Sequence, residues 1–245
     1  MEGLSPVARL VLDRARAGSR PGERDDGTRL VLVAEGGGMR GVVAGGMATA
    51  LEELDVVEAF DGVYGTSAGA LGGAFLLAGQ AALGTSLYFD DLTTPEFIAK
   101  RRVLTRGAMM SLEFLLDEIM SGRKPLDWQR VVDHGVRLHP FAADLDAGEL
   151  VDLHGEACDV ARLREALRAS ARVPGVAGPP VCIGDRRLVD GSVLSPIPFA
   201  RAIADGATHL MVLRTRPFGT TLRAPPAVVR PPLERWLRRL HPTLP

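Results

Sequence analysis

Gly65-Thr66-Ser67-Ala68-Gly69 is the stretch of this sequence best suited to nucleophilic chemistry. A GxSxG placed on a sharp strand-to-helix turn lifts the serine hydroxyl clear of its surroundings. The two glycines are needed because side chains there would clash. In a chain with 28 glycines the pattern alone says little. Its context says more, because an apolar strand pattern precedes it (Phe60–Tyr64) and a long Ala/Leu-rich helical pattern follows it. A second candidate is Gly36-Gly37-Gly38-Met39-Arg40-Gly41, which follows the apolar run Arg29–Ala34 and opens a helix. Glycine amides beside a helix N-terminus can point at an oxyanion, and the helix dipole favours negative charge there. The same run fits a GxGxxG dinucleotide fingerprint, with Asp55, Glu58 and Asp61 near the expected offset. That fingerprint requires the second strand to end in a ribose-binding acid, whereas here it ends in Gly65-Thr66-Ser67. The plain alternative is a glycine turn that serves only helix–strand packing. The third candidate, Val189-Asp190-Gly191-Ser192, is ordinarily just a turn, and its interest depends on the other two.

These residues must be held by a regular frame, and the hydrophobic pattern supplies one. Residues 5–18 carry Val7, Leu10, Val11 and Ala15 at helical spacing, and a charged Gly/Pro loop follows. Arg29–Ala34 reads as a strand buried on both faces, Val42–Leu54 as a helix, Phe60–Tyr64 as a second strand, and Ala68–Leu83 as one buried helix. Strand, glycine turn, helix, repeated, is the rhythm of a parallel sheet with crossover helices. Further on, Thr94-Pro95-Glu96 reads as a helix start and Ser111–Met120 as an amphipathic helix. Val136–Asp144 with Glu149–Leu153, and Val181–Ile183 with Arg187–Val189, read as hairpins. Val160–Ala169 is helical, His209–Arg214 is a last strand, and prolines crowd the chain from Pro217 onward.

The bulk numbers exclude several classes. Of 245 residues, 46% are hydrophobic and 24% charged, so the chain is globular rather than disordered. A net charge of −1 offers no basic field for nucleic acid. Cys158 and Cys182 form no CxxC pair, no disulfide framework and no metal-spaced Cys/His cluster. The N-terminus lacks a signal-peptide profile, and glycines interrupt the most apolar stretch before it is long enough to span a bilayer. The chain therefore reads as soluble and cytoplasmic.

Taken together and in order, GGGMRG, GTSAG and DGS resemble the patatin-like phospholipase family, including its bacterial members. Ala169-Ser170-Ala171-Arg172-Val173-Pro174 is similar to the family's ASxAxP segment, and the strand–turn–strand run from Pro180 to Ser192 is similar too. The resemblance covers roughly residues 29–215. Ser192, where glycine or alanine is usual, and Leu188, where an aromatic is common, depart from the pattern. It implies a three-layer α/β/α fold with a mainly parallel central sheet and a nucleophile elbow. The division is an N-terminal helix and loop (1–28), a hydrolase domain (29–215) and a Pro-rich tail (216–245). Small bacterial members extend past the point matching Pro245, so that end need not be the natural one.

The resemblance further implies a lipid acyl hydrolase with a Ser67–Asp190 dyad. Gly65 and Gly69 shape the elbow, and Gly36, Gly37, Gly38 and Arg40 form an oxyanion hole. No metal or cofactor is expected, and the partner is a lipid or acyl ester. Two alternatives stand beside it. One is a Ser67–Asp190–His209 triad, disfavoured because His209 leads straight into a strand. The other is a non-catalytic lipid-binding or regulatory relative. Leu233, Trp236, Leu237 and Leu240 share one helical face with arginines elsewhere, which suggests transient peripheral contact with a membrane surface or packing on the protein's own core.

Overall fold

The computed structural model describes residues 3–99, 102, 108–217 and 219–220. The Pro-rich tail and its amphipathic stripe at 233–240 lie outside the described residues.

Helix α1 (Pro6–Arg16) starts where sequence chemistry allows: the Ser5 hydroxyl accepts the Ala8 N–H at 3.2 Å, and Pro6 occupies the first turn. Strand β1 (Leu30–Ala34) is buried at every position, as its unbroken apolar run requires. The glycine loop makes a short 3₁₀ turn (Gly38–Arg40) and enters α2 (Gly41–Glu53). Strand β2 (Gly62–Thr66) feeds α3 (Ala68–Leu77), and α4 (Ala81–Asp90) follows. The single helix expected over 68–83 is thus two. Gly79 takes a left-handed φ of +69° and breaks the helical path, so α4 packs beside α3 instead of extending it.

The middle of the chain departs from expectation twice. At Thr94-Pro95-Glu96 one turn forms, with the Ile98 N–H on the Thr94 carbonyl at 3.0 Å, but Ile98 then pairs with Met110 and no helix continues. The helix expected at 111–120 exists but is wound as a π-helix over Phe114–Arg123. Helix α5 (Trp128–Asp133) precedes β3 (Arg137–Asp144), which turns back into β4 (Glu149–Asp152). That turn is held by Asp144, whose carboxylate accepts the N–H groups of Asp146 and Ala147 at 2.8 and 3.1 Å. Helix α6 (Val160–Ser170), the hairpin β5 (Val181–Ile183) and β6 (Arg186–Asp190), α7 (Phe199–Ala204) and β7 (His209–Leu213) complete the order.

The strands form one sheet in the order β5-β6-β3-β2-β1-β7, with β4 also paired to β3. β7, β1, β2 and β3 are parallel, while β4 and β6 run antiparallel to β3. Alternation splits the core. Leu30, Leu32 and Val63 face α2, α3 and α4, whereas Val31, Val33 and Tyr64 face the other way, with Ala202 of α7. The fold is therefore α/β with helices on both faces. The turns that leave β1 and β2 lie together at the carboxyl end of the parallel strands, where such sheets place their sites.

Candidate active site

Ser67 sits at the tip of the β2–α3 turn with φ 54° and ψ −125°, a backbone conformation non-glycine residues avoid. Holding it there costs about 1–3 kcal/mol, which the surrounding packing must over-determine. The two flanking glycines show how. A Cβ at Gly65 would lie 2.6 Å from the Ala70 nitrogen, and one at Gly69 would lie 2.3 Å from the Ala34 carbonyl oxygen. The turn is pressed so tightly between β1 and α3 that neither position tolerates a side chain. The Ser67 N–H donates to the Ser170 hydroxyl at 3.0 Å, and that hydroxyl donates to the Phe141 carbonyl at 2.7 Å. Ser67 is 6% exposed.

Strand β3 brings the second residue to it. Thr66 is level with Phe141, and the next rung of β3, Ala142, is level with Asp190 at the end of β6. Nucleophile candidate and acid are therefore attached to successive rungs of a single strand. Asp190 is 3% exposed, and its carboxylate accepts the Ser192 N–H at 2.8 Å. Burial pushes its pKa above the ordinary aspartate value. The side-chain interaction with Ser67, then the Ser192 N–H, oppose that rise. The Ser192 hydroxyl opposes it as well but lacks hydrogen-bond geometry, because its oxygen is buried without a partner.

The glycine loop divides its labour. The Gly36 N–H is already spent on the Pro196 carbonyl at 2.8 Å, which removes Gly36 from the expected set of anion donors. A Cβ there would sit 2.4 Å from the Ser192 hydroxyl, so its role is close approach. The N–H groups of Gly37 and Gly38 have no carbonyl partner among the described residues. Gly38 has a left-handed φ of +54°. Arg40 is exposed, and its N–H donates to the Gly37 carbonyl at 3.1 Å, closing the turn.

Glu35, at 1% exposed, anchors this loop from below by accepting from Arg216 at 2.8 Å and from the Thr215 N–H. No local sequence signal marked Glu35, and although Ser170 lies in the Ala169–Pro174 segment singled out by resemblance, its contacts with Ser67 and Phe141, far along the chain, were not foreseen. An apolar cavity of about 130 Å³ opens beside Ser67, between the glycine loop, α3 and α4.

His209, His139 and His154 are held elsewhere. His209 is level with Leu30 at the start of β1, whereas Ser67 follows Gly65, which is level with Ala34. Four strand residues, about 13 Å, separate those levels. His139 is held by Asp152 at 2.7 Å and stacks on Tyr64, and His154 contacts the Leu138 carbonyl. The triad expected as an alternative is thus not assembled with His209. Among the described residues, no group of three His, Cys, Asp or Glu side chains is arranged to hold a metal ion.

Residues 32–203 match the family model for patatin-like phospholipases. The uncharacterized protein YjjU of Escherichia coli (strain K12) is 29% identical over 217 residues, covering 85% of this chain and 57% of that protein. The uncharacterized NTE family protein MT2641 of Mycobacterium tuberculosis (strain CDC 1551 / Oshkosh) is 31% identical over 232 residues, covering 87% of this chain. The chain spans a little over half the length of the first and 35% of the second.

Proposed function

The chain belongs to the patatin-like phospholipase family, and from that premise we propose that it is a serine acyl hydrolase cleaving carboxylic esters of lipids through an acyl-enzyme. One observation carries the reading: a strained serine beside a buried aspartate and two glycine amides that have no carbonyl partner among the described residues. The Ser67 oxygen attacks the ester carbonyl carbon while its proton passes to Asp190. The negative charge on the former carbonyl oxygen is met by the N–H groups of Gly37 and Gly38. Each such donor is worth about 3–4 kcal/mol in the barrier. Collapse expels the alcohol, which takes the proton back from Asp190. Water then attacks the acyl-enzyme, gives its proton to Asp190, and releases the carboxylic acid as Ser67 recovers its proton.

An ordinary aspartate is a weak base near neutrality. Burial narrows that gap by raising the carboxyl pKa and by strengthening its bond to the Ser67 hydroxyl. Arg40, exposed beside the loop, adds positive charge at the mouth. Lipid esters reside in bilayers, so the enzyme visits their surface transiently. No helix among the described residues is long and apolar enough to cross one.

A fluorophosphonate probe tests the nucleophile. Wild type is labelled at Ser67 and Ser67→Ala is spared, and equal labelling of both sinks the reading. With p-nitrophenyl esters, Asp190→Asn lowers turnover by about 10³-fold or more, whereas His209→Ala keeps most of it. A folded but inactive His209→Ala protein would move the assignment to the triad.

A further inference from the structure

Behind the cavity beside Ser67 lies a second one. It is smaller, about 40 Å³, and sits between α2, α3, α4 and the sheet, walled on the α2 side by Gly41, Ala44, Gly45 and Ala48. The two cavities share five lining residues, Ala68, Leu71, Tyr88, Leu92 and Leu115, which therefore form the wall between them. Tyr88 is the largest of the five. Among the described residues that line the outer cavity, Tyr88 and Ser67 alone carry a side-chain oxygen or nitrogen. The Tyr88 hydroxyl has no hydrogen-bond partner among the described residues, and desolvation pushes its pKa far up.

The position of this ring is fixed by glycine. A Cβ at Gly41 would lie 2.0 Å from the Tyr88 hydroxyl oxygen, and one at Gly45 would lie 2.6 Å from the hydroxyl of Thr85, one turn earlier on α4. Helix α4 thus seats against a glycine groove on α2. Tyr88 reaches across it to end beside Gly41, close behind the elbow. Any acyl chain that leaves Ser67 into the outer cavity runs against this ring and the Leu92 side chain.

We propose, on the reading of Ser67 as the nucleophile of an acyl hydrolase, that Tyr88 and Leu92 form the floor of its acyl pocket and restrict the enzyme to short acyl chains. An apolar cavity of about 150 Å³ holds one benzene molecule, so the 130 Å³ beside Ser67 takes an acyl chain of about six carbons. Longer chains need the space behind the wall, which the ring denies them. Removing the ring joins the two cavities and admits further methylenes into a channel lined by small apolar residues.

The test is a kcat/KM series over p-nitrophenyl esters from acetate to dodecanoate, for wild type, Tyr88→Ala and Leu92→Ala, each corrected for the Ser67→Ala background. A methylene with no room in a pocket costs about tenfold or more. Wild type therefore peaks near hexanoate and falls steeply by decanoate, and the decanoate-to-hexanoate ratio rises at least about tenfold in the variants. Leu92→Ala carries the measurement if Tyr88→Ala does not fold. A wild-type profile still rising at dodecanoate, or an unchanged ratio in the folded variants, overturns the proposal. If no ester shows Ser67-dependent turnover, the hydrolase reading fails separately. Calorimetric binding of hexanoate and decanoate to Ser67→Ala protein, with and without Tyr88→Ala, then reads the wall. Tighter decanoate binding on loss of the ring supports it, and no change overturns it.

Discussion

Asp190 serves two conflicting demands, since its burial favours the protonated acid while the proposed chemistry needs the carboxylate. The kcat/KM profile should therefore show an acid limb above the ordinary aspartate value of about 3.9. The bond that opposes the rise by geometry is the Ser192 N–H, which Ser192→Ala keeps, so the limb should stay in place; a limb that moves would give the Ser192 hydroxyl a part in tuning the base. The same burial has a sign in stability. A carboxyl whose pKa is raised on folding binds its proton more tightly in the folded state, so stability declines as pH climbs through the folded value. Asp190→Asn, though inactive, should melt higher than wild type at pH 8, by about 2–4 °C for each kcal/mol regained, and the gap should close below about pH 4. Differential scanning calorimetry at the two pH values checks it. The sequence marked Ser67 and Asp190 because each lies in a short motif at the end of a strand pattern. It placed Ser170 in a motif without giving it a role and could not mark Tyr88, whose contacts come from remote elements, and it overcounted Gly36 because the Pro196 carbonyl that takes its N–H is remote as well.

At the scale of elements, glycines of one sequence type divide sharply by what surrounds them. Gly69→Ala drives a Cβ into the β1 backbone and should cost upward of about 3 kcal/mol, with loss of activity. Gly46→Ala, on an exposed face of α2 with nothing within 4 Å, should stabilise by about 0.4–1 kcal/mol in urea titration. If the two behave alike, the tight seating of the elbow is wrong. Strand β1 was legible because a buried parallel strand leaves an unbroken apolar run, and β2 because Val63 and Tyr64 lead straight into the GxSxG. The α3–α4 break was not, since apolar residues crowd both sides of Gly79-Gln80. Nor was the π-winding of Phe114–Arg123, because periodicity near 3.6 is what sequence patterns report and wider winding leaves no separate mark. Thr94-Pro95-Glu96 carries good start chemistry, overridden when Ile98 crosses to Met110.

Over the whole molecule, Arg14 ties the first helix to the base of the sheet. It is 3% exposed and binds Asp26, Asp61, Thr28 and the Ala59 carbonyl. Arg14→Leu strands those partners and should cost about 3–5 kcal/mol in denaturant titration. Hydrogen bonding from Arg14 holds the Asp26 carboxyl well below the usual range, so this contribution is present above about pH 4 and drains away at more acid pH. The shared rungs of β3 carry a different consequence. Ser67 meets Asp190 only when β6 docks on Ala142–Asp144 of β3, and β1 is closed on its other edge only by β7. During translation the elbow leaves the ribosome long before either strand, as chains emerge N-terminus first. On the acyl hydrolase reading, the growing polypeptide therefore carries the elbow without its proposed base until β6 has been made. Membranes near the ribosome would meet that nucleophile unarmed until then.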